Sequence, residues 1–500
     1  MKNRNLSKLA ALLLALIMVL SVVVACGDTS GDNTPKQTSD LDKVDYTPDD
    51  SDPEDPKIPP IDYGGYEFSF ICQPYRDNTA YPVNYMVSEG EGESPLLDAV
   101  FRRNTLLEEK FNVTFNQIQT TDLITSVRTQ VMSGSTEFDV IVGRCLYLAT
   151  FAREGLLLDL LSIDRFDMSK SYWDQNAKEQ LKIGDKLFFT NCDFNTQEIA
   201  FVVYFNKQVV KDYNLTSPYE YLENNEWTLD NWAALAKSVS KDMNGDGVMG
   251  ELDQFGTLYE HHNSRTFLYG IGVRVTTNDD TGYPELTLMK DGDRVNTAYE
   301  KIKSVFADKN ISFDIDLSLT NDSTHGYPDK WDYARSLFMQ DLFLFHYEGT
   351  NILHQFGNME HEFGIIPFPK YDSNQTKYYS AYPKHCSMVA LPSCLSGEDL
   401  ERTATIFEDM NYYSKNMVKK YWYETILTRR YTRDEESQQY LDVIKDGRVY
   451  DLGLYFNFGN ITSSVLDADC STNNLSTSYA RIKKAVESDI KVIYRDFGKE

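Results

Sequence analysis

Short apolar runs alternate with helix-spaced apolar positions after about residue 60. The run FSFIC at 68–72 predicts a buried strand. The Ser94-Pro95 pair is a favourable N-cap and first-turn combination, so a helix should begin there and run to about Lys110. The inward face of this helix is predicted to carry Leu97, Val100, Phe101 and Leu107.

The same alternation continues over the next thirty residues. Residues 113–115 are strand-like, and 121–132 show helical spacing of aliphatic residues up to Gly134. The run FDVIV at 138–142 then predicts another strand. Strand, helix, strand, helix, strand is the order of an α/β fold with a parallel sheet.

Further elements follow in the middle of the chain. LFFTNCD at 187–193 and AFVVYFNK at 200–207 are predicted strands, and a helix is predicted from Thr228 in EWTLDNWAALAKSVSKD. The inward residues of that helix should be Leu229, Trp232, Leu235, Ala236 and Val239. The body from about Ile61 to Glu500 is too long for one small core and suits two lobes.

The amino terminus has the pattern of a secretory signal. Lys2, Arg4 and Lys8 precede the apolar run 9–25, which is short for a membrane-spanning helix, and Cys26 follows at once. A lipidated Cys26 carrying acyl chains such as palmitate would hold the protein on the outer face of the cell membrane. An ordinary cleaved signal with a chance cysteine is the alternative.

Residues 27–60 are rich in Asp, Pro, Ser and Thr and have almost no aliphatic side chains. Such a segment cannot bury enough apolar surface to offset its ordering entropy, so we expect a disordered tether with a span of roughly 30 Å. The tether would separate the folded body from the membrane.

Charge and composition restrict the possible partners. The formal net charge is −27, which argues against nucleic acid or anionic lipid as the ligand. The 33 Tyr, 27 Phe and 5 Trp fill a core or line a groove that stacks sugar rings. The six cysteines after Cys26 are widely spaced without a CxxC, so buried free thiols are at least as well supported as disulfides.

Residues 242–253, DMNGDGVMGELD, follow the twelve-residue pattern of oxygen ligands in calcium sites. The predicted ligands are the side chains of Asp242, Asn244, Asp246 and Asp253 and the carbonyl of Val248. Position 12 is Asp where the EF-hand has Glu, and a strand rather than a second helix is predicted next, so a structural Ca²⁺ is favoured over a sensor. A metal-free loop of Asx turns is the alternative.

A nucleotide site and an enzyme are less well supported. The GxGxxG formed by Gly245, Gly247 and Gly250 follows a helix instead of a strand, and the acidic side chains nearby would repel a pyrophosphate. No HExxH, GxSxG or Walker A motif occurs, and SVSK at 238–241 lacks a companion KTG. A secreted glycan-binding or glycoside-hydrolysing lipoprotein remains the main alternative, because a catalytic carboxylate pair is invisible in sequence.

Several segments together resemble one family. They are SVVVAC, FDVIVGRCLYLATFAREGLLLDL, YFNKQVVKDYNL, EWTLDNWAALAKSVSKDMNGDGVMGELDQFG, FGIIPFPKYDSNQTKYYS and TRRYTRDEES. In this order the chain resembles an extracellular solute-binding lipoprotein of an ABC importer, of the family 1, carbohydrate-type class found in clostridial bacteria. The resemblance implies a monomeric, non-enzymatic receptor that delivers a small solute, such as a sugar, to ABC permease subunits.

The resemblance also implies a type II-like periplasmic-binding-protein fold, in which two α/β lobes joined by hinge strands close on a ligand. The hinge crossings would be AFVVYFNK and 377–391. Lobe 1 would hold about 61–203 plus 380–435, and lobe 2 about 204–379 plus 436–500.

Ligands of α/β sheets bind beyond the carboxyl ends of the strands, which nominates residues in the loops there. These ligand-binding candidates are Gln73, Arg76, Arg144, Tyr147, Asp193, Asn195, Glu198, Tyr259, His261, Tyr347, Glu348 and Tyr382.

Overall fold

The structure is a computed structural model. It describes residues 51–74, 86–88, 90, 95–135, 137–195, 200–320, 325–422 and 435–499. All of these residues belong to one compact unit that spans Val44–Glu500. Within them, none of the helices combines the length and the apolar character that a membrane span requires.

The first sheet has four strands in the order β13-β3-β1-β2. Its strands are β1 (Tyr66–Cys72), β2 (Val113–Gln119), β3 (Val140–Arg144) and β13 (Ser387–Ala390). β1 pairs in parallel with β2 and β3, while β13 runs antiparallel to β3. Helices α1 (Pro95–Phe111), α2 (Leu123–Ser133) and α3 (Cys145–Arg153) connect or follow these strands. The predicted strand and helix alternation is therefore confirmed.

Local sequence explains how these helices begin and end. The Asp122 side chain accepts a hydrogen bond from the backbone N–H of Thr125 and so caps α2. Gly134 ends the helix with φ of 79°, a conformation that glycine adopts without strain. In α1, Val100 and Leu107 are fully buried as predicted, and Leu97 and Phe101 are half-buried.

The second sheet has six strands, with the order β11-β4-β10-β6-β5 and β9 paired to β6. Its strands are β4 (Phe201–Asn206), β5 (Ser240–Lys241), β6 (Gln254–Tyr259), β9 (Ser312–Asp314), β10 (Phe343–Gly349) and β11 (Phe363–Ile366). β10 is parallel to β6 and antiparallel to β4, with Gly349 opposite Phe201. The strand predicted after Asp253 is β6.

The continuous apolar run FVVYF in β4 reflects burial of both faces of the second sheet. Val203 and Phe205 belong to a large core that extends from the first sheet to one face of the second. Val202 and Tyr204 belong to a separate core on the other face. A strand covered on both faces has no polar side, which explains the absence of alternation in its sequence.

Helices surround both sheets. They are α4 (Gln175–Gln180), α5 (Lys207–Asp212), α6 (Pro218–Glu223), α7 (Leu229–Ser238), α8 (Asn263–Gly270), α9 (Gly292–Phe306), α10 (Ile315–Ser318), α11 (Lys330–Met339), α12 (Gly397–Tyr413), α13 (Glu435–Asp446), α14 (Leu452–Tyr455) and α15 (Leu475–Phe497). Two small sheets pair β7 (Thr276–Asn278) with β8 (Pro284–Leu286) and β12 (Ser380–Ala381) with β14 (Arg448–Val449). The Thr228 side chain caps α7, as predicted, by accepting from the N–H of Asn231.

Two predictions about local structure differ from the observed fold. LFFTNCD is not a strand, because it forms only isolated bridges, one of them between Thr190 and Val389. Beyond Thr190 the buried side chains of Asn191 and Asn195 bond to tyrosine hydroxyls, so the segment leaves the sheet.

The packed body also begins before Ile61. Ile58 is buried in the core, and the hydroxyl of Tyr412 donates to Asp52 at 3.1 Å. These contacts place residues 51–60 on the body and shorten the predicted tether. The six cysteines from Cys72 to Cys470 are free thiols, five of them buried.

Candidate functional site

The carboxyl ends of β1 and β3 meet at one edge of the first sheet. β13 begins at the same edge, since Ser387 is paired with Arg144. Asn195 reaches this edge as well, because its side-chain amide donates to the hydroxyl of Tyr382 and to the carbonyl of Ser387. The loop before β13 therefore lies beside the loops at the carboxyl ends of strands, where the sequence predicted ligand-binding residues.

Cationic side chains converge at this edge from both sheets. Arg144 is the last residue of β3, Lys384 and His385 precede β13, and Arg265 lies on α8, which follows β6 of the second sheet. Arg265 donates to both carboxylate oxygens of Asp467 at 2.5 and 2.6 Å, and the Lys384 ammonium lies 3.4 Å from the same carboxylate. The cluster therefore combines residues at the edge of the first sheet with a residue on a helix that follows a strand of the second sheet.

The electrostatics of this cluster keep His385 neutral. Burial lowers the pKa of His385 first, and the charges of Lys384, Arg144 and Arg265 lower it further, to about 3. A neutral imidazole both donates and accepts a hydrogen bond. The site thus offers fixed cations and a neutral ring, a set suited to hydroxyl groups or a partial negative charge.

An exposed tryptophan lies on the side of the second sheet. The Trp331 indole N–H donates to the carboxylate of Glu260 at 2.9 Å, and Trp331 is 38% exposed. His262 lies 3.5 Å from the same carboxylate, and its ring contacts Phe201 at a centroid distance of 5.3 Å. The Lys330 ammonium lies 5.1 Å from the centroid of the Trp331 ring. The exposed part of an indole that is held by its N–H can stack against the apolar face of a sugar ring.

A buried ion pair holds the helix that carries Trp331. Arg335 on α11 donates to Glu348 of β10 at 2.5 and 2.9 Å, and His346 lies 3.0 Å from the same carboxylate. Burial raises the pKa of Glu348, but Arg335 and His346 outweigh this effect and bring it to about 2. The pair therefore fixes α11 against the second sheet.

The His261 ring lies beside two carboxylates. Its Nε2 lies 3.1 Å from Asp314, and its backbone N–H donates to Asp316 at 2.9 Å. Among the described residues these three form a group whose ligand atoms lie close enough to share a metal ion. Lys330 bonds to Asp316 at 2.9 Å, so the ammonium already neutralises part of that charge.

A sequence comparison identifies the family. The model of the bacterial extracellular solute-binding protein family matches residues 94–376, which is more than half of the chain. The chain belongs to this family. This membership confirms the predicted two-lobed α/β binding-protein fold, and the two sheets are the centres of that fold. No curated protein matches the sequence.

Solved structures with the same fold bind carbohydrates. The cyclic α-maltosyl-1,6-maltose binding protein of Arthrobacter globiformis is 12% identical with a TM-score of 0.56, over 86% of this chain and 100% of that one. The maltose-binding protein of Listeria monocytogenes in complex with maltose is 12% identical with a TM-score of 0.55, over 85% and 98% of the two chains. An ABC substrate-binding protein of the same organism, in complex with cycloalternan, is 13% identical with a TM-score of 0.50, over 87% and 100%. At this identity the likeness establishes the fold.

The nominated ligand-binding residues that the structure describes fall into three groups. Gln73, Arg144 and Tyr147 are half-buried at the edge of the first sheet. Asp193 is paired with Lys419, and Asn195, His261 and Glu348 have the partners given above. Arg76, Glu198 and the lipidation candidate Cys26 lie outside the described residues.

Tyr259, Tyr347 and Tyr382 form the third group and are core residues. Each is at most 1% exposed. The Tyr259 hydroxyl lies 3.2 Å from the sulfur of Cys470, and the Tyr347 hydroxyl accepts from Trp232 at 2.8 Å. With these surroundings the tyrosines have no surface for a ligand in this structure.

Sequence reasoning missed six residues of the site: Glu260, His262, Arg265, Trp331, Lys384 and His385. Glu260 and His262 come just after the predicted strand β6. The search for ligand contacts at the ends of strands selected their neighbours Tyr259 and His261 instead. Trp331 and Lys384 follow no strand that the pattern predicts, and only the fold brings them here.

The predicted calcium loop has a regular set of backbone hydrogen bonds. Asp242 accepts from the N–H groups of Gly245 and Gly247 at 2.7 Å, and Asp246 accepts from Val248 at 2.8 Å. Asp253 accepts from Met243 and Gly250. The side-chain oxygen of Asn244 accepts from the backbone N–H of Asp246 at 2.8 Å, and the second carboxylate oxygen of Asp246 accepts from the Asn244 amide at 3.0 Å. The residues fit a calcium ion in their oxygen chemistry, and they equally satisfy the metal-free arrangement of Asx turns.

Proposed function

We propose that this solute-binding protein captures a sugar or oligosaccharide between its lobes and releases it unchanged to an ABC permease. Lipidation of Cys26 would hold it on the outer face of the cell membrane. Lobe 1 would hold about 61–203 plus 380–435, and lobe 2 about 204–379 plus 436–500.

The observation that carries the proposal is the partly exposed indole of Trp331, which is held by Glu260, together with the cationic cluster at the edge of the first sheet. Glu260 and His262 connect the indole to the segment that continues into Arg265. Arg265 and Lys384 both form ion pairs with Asp467, and the charge of Arg144 helps to lower the pKa of His385. Aromatic stacking on one side and charged hydrogen-bond donors on the other suit a ligand with an apolar ring face and many hydroxyl groups.

The relatives support the carbohydrate class. The related structures contain maltose and cycloalternan, and one related protein is named for a cyclic maltosyl-maltose. Closure follows from the preference of such a ligand for the state in which both lobes contact it.

A structural calcium ion at 242–253 is a second part of the proposal. The side chains of Asp242, Asn244, Asp246 and Asp253 and the carbonyl of Val248 would hold it. A bound Ca²⁺ would offset the repulsion among these acidic residues and fix the connection between β5 and β6.

Calorimetric titration with a panel of maltose-type and other oligosaccharides tests the binding proposal. With the sugar that binds best, Trp331→Ala should weaken the affinity about tenfold or more, and Trp331→Phe should retain most of it because a ring face remains. Met132→Ala is the control, since Met132 is an exposed apolar residue of α2 in the other lobe.

Two results would contradict the proposal. Equal affinities of the alanine variant and the wild type would remove Trp331 from the site. Appearance of shortened sugars in the recovered ligand would favour the glycoside-hydrolysing alternative.

A further inference from the structure

A cavity of about 670 Å³ is lined by none of the residues of the cationic cluster or of the Trp331 group, although the nominated residue Asp193 is part of its wall. Its walls come from the loop and helix start at 171–176, the segment 415–420 after α12, and the end of α13 with β14. This volume falls in the range of small-molecule sites. The cationic residues that line it are Lys377, Lys415, Lys419, Lys420, Lys445 and Arg448.

The charge of this basic cavity is opposite to that of the protein. The acidic residues of its lining are Asp174, Asp193 and Asp446, so six cations face three anions in a chain of net charge −27. Two of these acids are already paired, Asp174 with Arg448 at 2.7 Å and Asp193 with Lys419. A concentration of positive charge that persists after pairing attracts anions.

Two lysines of the lining have no partner of their own. Within the described residues, neither the Lys377 nor the Lys420 ammonium forms an ion pair or a hydrogen bond, and both side chains are exposed. They sit on separate segments of the chain. Two such ammonium groups can both contact a ligand that has more than one anionic group.

The rim of the cavity already binds a carboxylate. Glu54 accepts hydrogen bonds from the backbone N–H and the hydroxyl of Ser171, both at 2.8 Å, and lies 3.5 Å from the ammonium of Lys415. Ser171 and Lys415 both line the cavity. Ser171 and Lys415 therefore hold an anionic oxygen at this rim, and their donors are occupied by Glu54.

We propose that the basic cavity is a second ligand site, which binds a small anion with two or more carboxylate or phosphate groups. Lys377 and Lys420 supply the contacts to the ligand, while Arg448 and Lys419 are paired with Asp174 and Asp193 in the wall of the cavity. The proposal does not depend on the identity of the sugar. Aromatic stacking at Trp331 has no part in it.

Isothermal titration of the full chain, purified in detergent, with citrate and with pyrophosphate tests the proposal. Both probes should bind saturably with one-to-one stoichiometry, and the affinity should fall as sodium chloride is raised, because exposed charges are screened. The monovalent anion acetate should bind far more weakly.

Lys377→Gln with Lys420→Gln should weaken the binding of both probes about tenfold or more, since charge-assisted contacts are lost. The matched control is Lys309→Gln with Lys491→Gln, which removes the same charge from exposed positions elsewhere. A second variant, Lys377→Glu, places a repulsive charge at the cavity and should reduce binding further. Thermal melting of each variant checks the fold.

Absence of saturable binding of both probes would overturn the proposal. So would equal affinities of the double variant and its control, because general attraction to the protein surface would then explain the binding.

Discussion

The buried pair of Glu348 and Arg335 gives a prediction about the stability of the lobe that carries Trp331. Glu348→Gln removes the charge and keeps the size of the side chain. A pKa of about 2 in the folded protein, against an ordinary value of 4.5, corresponds to a stabilisation of about 3 kcal/mol. Asp332 remains 2.6 Å from Arg335 in the variant and compensates in part. We therefore expect the free energy of unfolding to fall by about 2 to 3 kcal/mol at neutral pH.

The pH dependence gives the same prediction an independent signature. Because the folded pKa of Glu348 lies below the unfolded value, the stabilisation is complete above about pH 4.5 and is lost as the pH falls toward about 2. The difference between the wild type and Glu348→Gln should shrink over that window. Equilibrium urea unfolding, followed by circular dichroism at about pH 7, 4 and 3, measures it.

Glu401→Gln is the control for this experiment. Glu401 forms an ion pair with Arg165 and its side chain is 57% exposed, so its loss should cost less than about 1 kcal/mol. A Glu348→Gln variant as stable as this control, or a stability difference that does not change with pH, would refute the assignment of the pair as a stabilising one.

Three further predictions concern the metal, the anchor and the ligand. Excess calcium should raise the melting temperature of the wild type and of the control Asp280→Ala, because an ion that binds only the folded state stabilises it. The melting temperature of Asp246→Ala should not rise. Equal melting temperatures of the wild type with calcium and with chelator would exclude the ion. Cys26→Ser should leave the membrane fraction or remain unprocessed, as measured by fractionation and lipid labelling, and full labelling of the variant would assign another acceptor. Arg144→Ala should weaken sugar binding about tenfold in a calorimetric titration, since a charge-assisted hydrogen bond is lost, while the exposed control Arg481→Ala should not.

The sequence was sufficient for the elements whose own residues specify them. The α2 helix has its cap at Asp122 and its end at Gly134, and the parallel strands β1 and β3 are short apolar runs, so local pattern predicts both. LFFTNCD has the same apolar character as β3. Asn191 within this segment and Asn195 just after it bond to tyrosines more than 180 positions away, and no local pattern contains that information.

Some site residues could likewise be predicted from the local sequence, and others could not. Arg144 was predicted because it lies just beyond the apolar run FDVIV, at the carboxyl end of β3. Trp331 and Glu260 are 71 positions apart, and Arg265 and Asp467 are 202 positions apart. Such pairs depend on how the second sheet and the carboxyl-terminal helices pack, so only the three-dimensional structure reveals them. The same holds for the core position of Tyr382, which was nominated because its place in the sequence is comparable to the loops beyond the strand ends.

Small-angle scattering with and without the sugar found by titration tests the central claim most directly. A ligand held between two lobes should make the body from residue 51 more compact, because its contacts favour the closed state, and the sugar should be recovered chemically unchanged. We predict a smaller radius of gyration at saturation. An unchanged radius of gyration at saturation would contradict capture between the lobes.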